Sequence, residues 1–166
     1  MAQAAHPAVI ADAGPLSALA KIKRLALLRR VFGSVGVTTT VADELCLGSA
    51  APGTDELDRA IAAGWLMRLP PPALKLPEHR ILDVGEASCL AAVSAMPETL
   101  LLIDERLGRS EAQRLGIAYM GTAGVLCVAK ELGYLKAVLP VLEEMSVAGY
   151  FLSDAVVDGA RQRSGE

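Results

Sequence analysis

Leu100-Leu101-Leu102-Ile103-Asp104 is an apolar run of strand length that closes on an acid, and Val9-Ile10-Ala11-Asp12 near the start repeats the pattern. With helical signals on either side, such runs read as parallel strands buried on both faces. In an open parallel sheet, ligands sit beyond the carboxyl ends of the strands. Asp12 and Asp104, far apart in sequence, are therefore expected in one crevice. An acid that closes an apolar run is hard to explain by solvation, so both read as functional.

Outward from these two runs, strands and helices alternate. Helices run from Pro15 to Phe32, a short strand covers Val35 to Val37, and a helix follows through Val41 to Leu47. Thr54 caps and Gly64 stops the next helix, to Ala63, before the strand Trp65 to Leu69. Pro70-Pro71-Pro72 forces an extended crossing. Gly85 to about Met96 is helical, Thr99 to Asp104 is the central strand, Arg106 to Leu115 is a helix ended by Gly116, and Ile117 to Met120 is one more strand. From Thr122 the helices are broken at Gly133 and Gly149, with an extended piece at Tyr150 to Leu152 before Ser153 caps the last one. This alternation defines an α/β fold with a mostly parallel sheet.

At 166 residues and 17.3 kDa the chain has the size of one domain, 1–166. Hydrophobic residues make up 52% and charged ones 21%, more apolar than a soluble monomer needs, so a buried partner surface is expected. Leu16, Leu19, Ile22, Leu25 and Leu28 recur at helical spacing and offer such a face, ordinary core packing being the other reading. The longest uncharged stretch, Leu115 to Ala129, is too short to cross a bilayer, and the start lacks a basic n-region. A cytoplasmic protein is expected. Cys46, Cys89 and Cys127 form no CxxC pair and read as small buried hydrophobes. The net charge of −3 argues against a general nucleic-acid coat, which needs a basic stripe. About two divalent ions in an acidic pocket would bring that balance to about +1 and make a polyanionic substrate acceptable there.

Two further acids lie where a helix begins or borders the crevice: Glu44 in Val41-Ala42-Asp43-Glu44-Leu45 and Glu86 in Leu82-Asp83-Val84-Gly85-Glu86-Ala87. Either member of the pairs Asp43/Glu44 and Asp83/Glu86 can face the pocket; Glu44 and Glu86 are preferred because Val41 and Leu45, and Leu90 and Val93, set the buried face beside them. Taken singly, Glu44 reads equally as a solvated helix residue and Glu86 as an acid favoured by a helix dipole. Four carboxylates drawn together repel and raise one another's pKa, so a cation is required among them. Hard oxygen ligands point to magnesium or manganese rather than zinc, and His6 and His79 are poorly placed for a triad. Such a cluster orients a water, lowers its pKa and neutralises a phosphodiester as it becomes five-coordinate, so phosphodiester hydrolysis is the expected reaction. Thr122, in Met120-Gly121-Thr122-Ala123-Gly124, offers a hydroxyl to a metal-bound water or phosphate, or else a plain N-cap. Arg106 and Arg109 share one helical turn after Asp104 and can meet substrate phosphate, a solvated basic face being the alternative.

Together, VIADAGPLSALAKI, VADEL, LDVGEASCLAA, LLLIDERLGR and GTAGVL resemble the PIN-domain superfamily over nearly the whole chain, in particular small prokaryotic PIN proteins similar to VapC-like toxin ribonucleases. The resemblance implies a three-layer α/β/α domain whose acidic pocket binds Mg2+ or Mn2+ and cleaves RNA. It implies as partners a small antitoxin protein and a second copy in a homodimer. By position, Asp12, Glu44, Glu86 and Asp104 match the family's acidic quartet, and Thr122 falls near its additional polar residue. The chain departs at Gly14, where many relatives have serine or threonine, and at Glu105, where similar proteins often have a second aspartate.

A catalytically weak module that binds nucleic acid or protein through the same pocket is the alternative function. A haloacid-dehalogenase-type phosphatase needs an aspartate where Gly14 stands. A response-regulator receiver fits the placement of acids and lysine less well, and Ala13-Gly14-Pro15 does not supply a dinucleotide fingerprint.

Overall fold

The apolar runs become strands because no polar face is left to water. Val9–Ala11 (β1) and Val35–Thr38 (β2) are buried throughout, and Leu66–Leu69 (β3), Leu100–Leu102 (β4) and Tyr119–Met120 (β5) complete the sheet. The structure is a computed structural model that describes residues 8–47, 53–71 and 82–166. Every strand pairing is parallel, in the order β3-β2-β1-β4-β5. Val9, Ile10 and Ala11 register with Leu100, Leu101 and Leu102, and the Asp12 N–H donates to the Leu102 carbonyl at 2.9 Å.

The helices among the described residues are Ala13–Lys21 (α1), Ala26–Phe32 (α2), Thr39–Glu44 (α3), Asp55–Ala62 (α4), Val84–Ser94 (α5), Arg106–Arg114 (α6), Thr122–Glu131 (α7), Leu139–Val147 (α8) and Asp154–Ser164 (α9). From β1 the chain steps to β2 and β3 on one side, then returns to β4 and steps to β5 on the other. Right-handed crossovers in opposite directions put their helices on opposite faces, which makes three layers. Accordingly α5 packs on β1, β2 and β4 beside α6, while α2 packs on α7 and α7 on α9. The order reverses between β1 and β4, and such a switch point opens a crevice at the carboxyl edge of a parallel sheet.

Local chemistry fixes the helix starts that border this edge. The Thr38 hydroxyl accepts the Val41 N–H at 3.1 Å, so α3 begins at Thr39 rather than at Val41 and ends at Glu44 rather than Leu47. Asp83 and Glu86 form a reciprocal capping box on α5. The Ser153 hydroxyl accepts the Val156 N–H at the start of α9.

Several expectations are corrected. The central strand is β1, not the Thr99–Asp104 run: hydrophobicity reports burial on both faces, not rank in the sheet. Tyr150 to Leu152 is not a strand but a loop between α8 and α9. Leu16, Leu19, Leu25 and Leu28 are at most 2% exposed, so these leucines belong to the core and offer no face to a partner; Ile22 is half-buried. Cys46 is exposed, unlike Cys89 and Cys127. Thr54 takes the N-cap position of α4, but its hydroxyl donates to Asp58 at 3.0 Å. His6, His79 and Pro72 lie outside the described residues.

Candidate active site

Asp12 follows β1 directly and is the N-cap residue of α1; it is 6% exposed. Asp104 lies two residues past β4, the neighbouring strand, so both acids leave the sheet at the switch point. Asp104 is held from two directions. The Thr122 N–H reaches its Oδ1 at 2.8 Å, and the hydroxyls of Thr122 and Tyr150 reach its Oδ2 at 2.5 and 2.6 Å. Glu86 sits in the first turn of α5 and is 5% exposed. Glu44, at the end of α3, brings its Oε2 to within 2.6 Å of where a side chain on Gly85 would begin, with Asp83 Oδ1 at 3.3 Å from the same point. A missing side chain at Gly85 therefore lets Glu44 and Asp83 approach one another. Asp43 instead turns outward to Arg68 at 3.2 Å.

Burial and like charge shape this group. Asp12 is pushed up from 3.8 to about 6, first by desolvation, then by the charges of Asp83 and Glu44, against a lowering contribution from the Ala13 N–H. Glu86 is pushed up from 4.5 to about 7, again first by desolvation, then by Asp83, with Asp12 and Glu105 adding. The buried Cys89 thiol lies 3.9 Å from Asp12 Oδ1 as a weak donor. Desolvation and Asp104 raise the Tyr150 hydroxyl far above its ordinary range, so it stays a donor. Among the described residues no lysine or arginine forms an ion pair with Asp12, Glu44, Asp83, Glu86, Asp104 or Glu105.

Beside Asp104 opens a cleft of about 330 Å³ lined by Glu105, Arg106, Arg109, Tyr150, Phe151 and Ser153 among others. Arg106 is exposed and Phe151 is 77% exposed. Arg109 is half-buried, and its Nε has no hydrogen-bond partner among the described residues.

Thus the structure brings Asp12, Glu44, Glu86 and Asp104 to one edge and sets Arg106 and Arg109 in the adjoining cleft. Thr122 is placed differently from expectation: it is fully buried, it follows the N-cap Gly121, and its hydroxyl is spent on Asp104 rather than left for a water or phosphate. Sequence reasoning missed Asp83 as a charge on both Asp12 and Glu86, and Tyr150 altogether. The pair Asp83/Glu86, three apart at a helix start, signalled the cap; nothing local signalled Tyr150.

The donor set is hard oxygen only, and among the described residues no lysine or arginine is ion-paired with it, which suits a divalent cation such as Mg2+ or Mn2+. Among the described residues, however, no three acids, histidines or cysteines stand close enough to share one ion.

An all-parallel, three-layer α/β/α domain with acids at its switch point is consistent with a PIN-like fold, which is of nuclease type. A family model described as DUF3368, PIN domain, matches residues 8–166, and the chain belongs to the PIN domain family. PIN domains are generally nucleases and typically use divalent metals. No curated protein and no solved structure matches significantly. No helix among the described residues is long and apolar enough to cross a membrane.

Proposed function

We propose that the chain is a metal-dependent endoribonuclease that hydrolyses RNA phosphodiesters, with Asp12, Glu44, Glu86 and Asp104 as the residues that would hold Mg2+ or Mn2+. The observation that carries this reading is the set of carboxylates, two of them buried and none ion-paired with a lysine or arginine among the described residues, at the crevice the strand order opens. When bound, the cation supplies charge neutralisation at the phosphate and a water of lowered pKa. The chain's own residues do the rest. Asp12 holds its proton up to about pH 6 and Glu86 up to about pH 7 when no cation is present, Thr122 and Tyr150 orient Asp104, and Arg106 and Arg109 receive the phosphates that flank the cut. Exposed Phe151 offers an aromatic face to an unpaired base in the same cleft. With the family resemblance we further propose a toxin role, a small antitoxin protein as inhibitor and a homodimer.

Cleavage of a single-stranded RNA by the purified protein with Mn2+ is the test. Asp12→Asn and Asp104→Asn should abolish it while the circular dichroism spectrum is kept; RNA left intact with either ion overturns the proposal. One observation favours the second reading, a catalytically weak binding module: the acids are not gathered three to an ion as they stand. Equal toxicity of wild type and an Asp12→Ala, Asp104→Ala double variant on expression would support it.

A further inference from the structure

Tyr150 is brought to the site by the end of α8. Gly149 adopts a φ of 89°, in the left-handed region that favours glycine, and the Tyr150 N–H closes on the Met145 carbonyl at 2.9 Å. The half-buried side chain then donates to Asp104 Oδ2 from 46 residues away. Its hydroxyl occupies space that any other residue at position 14 would fill: a Cβ on Gly14 would stand 2.9 Å from Tyr150 Oη, closer than real Cβ atoms come. Gly14 lies in the first turn of α1 with no left-handed backbone to explain a glycine. Glycine is a poor helix former, and what it supplies here is the room it leaves for the Tyr150 hydroxyl.

An ionised carboxylate offers about four lone-pair sites. Thr122 and Tyr150 take three of those on Asp104. We propose that Tyr150 is a positioning residue of the carboxylate site: admitted by the missing side chain of Gly14, its hydroxyl fixes Asp104 and leaves a single lone pair for a divalent cation. The inference rests on the metal-dependent reading above.

Calorimetric titration of Mn2+ into the full-length wild type, Tyr150→Phe, Gly14→Ala and the double variant tests it. Removing a hydrogen-bond partner of a metal ligand costs roughly 10-fold or more in affinity. Tyr150→Phe, which keeps the ring, should therefore weaken Mn2+ binding by about that factor while the circular dichroism spectrum of the metal-free protein is kept. Gly14→Ala should weaken it similarly by displacing the hydroxyl, yet cost nothing further in the Tyr150→Phe background, where no hydroxyl is left to displace. Mn2+ binding by Tyr150→Phe equal to or tighter than wild type overturns the positioning role, and additive losses in the double variant overturn the link to Gly14. Failure of the wild type to bind Mn2+ overturns the metal-dependent reading and this one with it. Should Tyr150→Phe fail to fold, the Gly14→Ala titration decides alone.

Discussion

Raising the pH should destabilise the metal-free protein, and Asp12→Asn should remove much of that loss. Asp12 titrates near 6 in the fold against 3.8 ordinarily, and Glu86 near 7 against 4.5. At about 1.36 kcal/mol per pKa unit each raised acid corresponds to about 3 kcal/mol. The sign follows from which form the fold prefers. A carboxyl whose folded pKa is raised favours the native state while protonated, so stability is complete below the ordinary value, about pH 4, and is lost as pH rises through 6 and 7. Both side chains are nearly inaccessible, so solvent screening does not cancel the effect. Because Asp12 is itself one of the charges that raise Glu86, the two losses overlap, and about 6 kcal/mol is a ceiling for the pair.

Thermal melts in EDTA between pH 5 and 8 read this directly. For a chain of this length about 1 kcal/mol moves the melting temperature by roughly 2–4 °C, so the wild type should lose on the order of 6–12 °C or more across the window. Asp12→Asn should flatten the part of the loss that ends near pH 6 and leave a shallower one, from Glu86, that ends near pH 7. The window stops at pH 5 because Glu166 and Glu144, both lowered by their partners, act in the opposite sense at acid pH. Parallel curves for wild type and Asp12→Asn would refute the argument that burial and like charge strain this site.

Other outcomes follow from single contacts. Mn2+ should raise the melting temperature more at pH 8 than at pH 5, because at the lower pH it must displace protons from Asp12 and Glu86. Thr122→Val removes the buried hydroxyl donor on Asp104 and should cost about 1.5–3 kcal/mol in denaturant unfolding, together with RNA cleavage. Gly121→Ala sets a Cβ 2.8 Å from Asp104 Oδ1, and cleavage should fall with the fold largely kept by circular dichroism. Gly108→Ala would overlap the buried Ile103 side chain and should destabilise by about 1–3 kcal/mol, measured by denaturant unfolding.

What was legible in the sequence tracks how local each cause is. The strand-end acids were visible because an apolar run cannot solvate its last residue, and Glu44 was separable from Asp43 because Val41 marks the buried side. Asp83 was visible only as the alternative to Glu86 at the pocket; the structure has it cap α5 and act on Asp12 and Glu86 together, which an either-or choice within the pair did not foresee. Tyr150 was invisible because its partner is Asp104, brought near only by the return of α8 and α9 to the sheet edge. The leucines of α1 and α2 show the same limit from the other side. Periodicity announces that a face is buried, and the central sheet and its covering helices, not a partner, turned out to cover it.

The crevice gathers helix starts as well as acids. Asp12, Asp83 and Glu105 are the N-cap residues of α1, α5 and α6, and the first N–H of α7 is the one bound to Asp104. Each start presents partial positive charge worth about 0.3–1 kcal/mol to a nearby anion. That is smaller than the roughly 3 kcal/mol by which each buried acid is raised, and the direction of both shifts agrees: the Ala13 N–H lowers Asp12, yet desolvation outweighs it. The helix starts therefore reduce the repulsion without removing it. Among the described residues Arg109 is the cation nearest these acids, on the Asp104 side and without an ion pair to any of them, so the repulsion between Asp12, Asp83 and Glu86 is not cancelled by a lysine or arginine there.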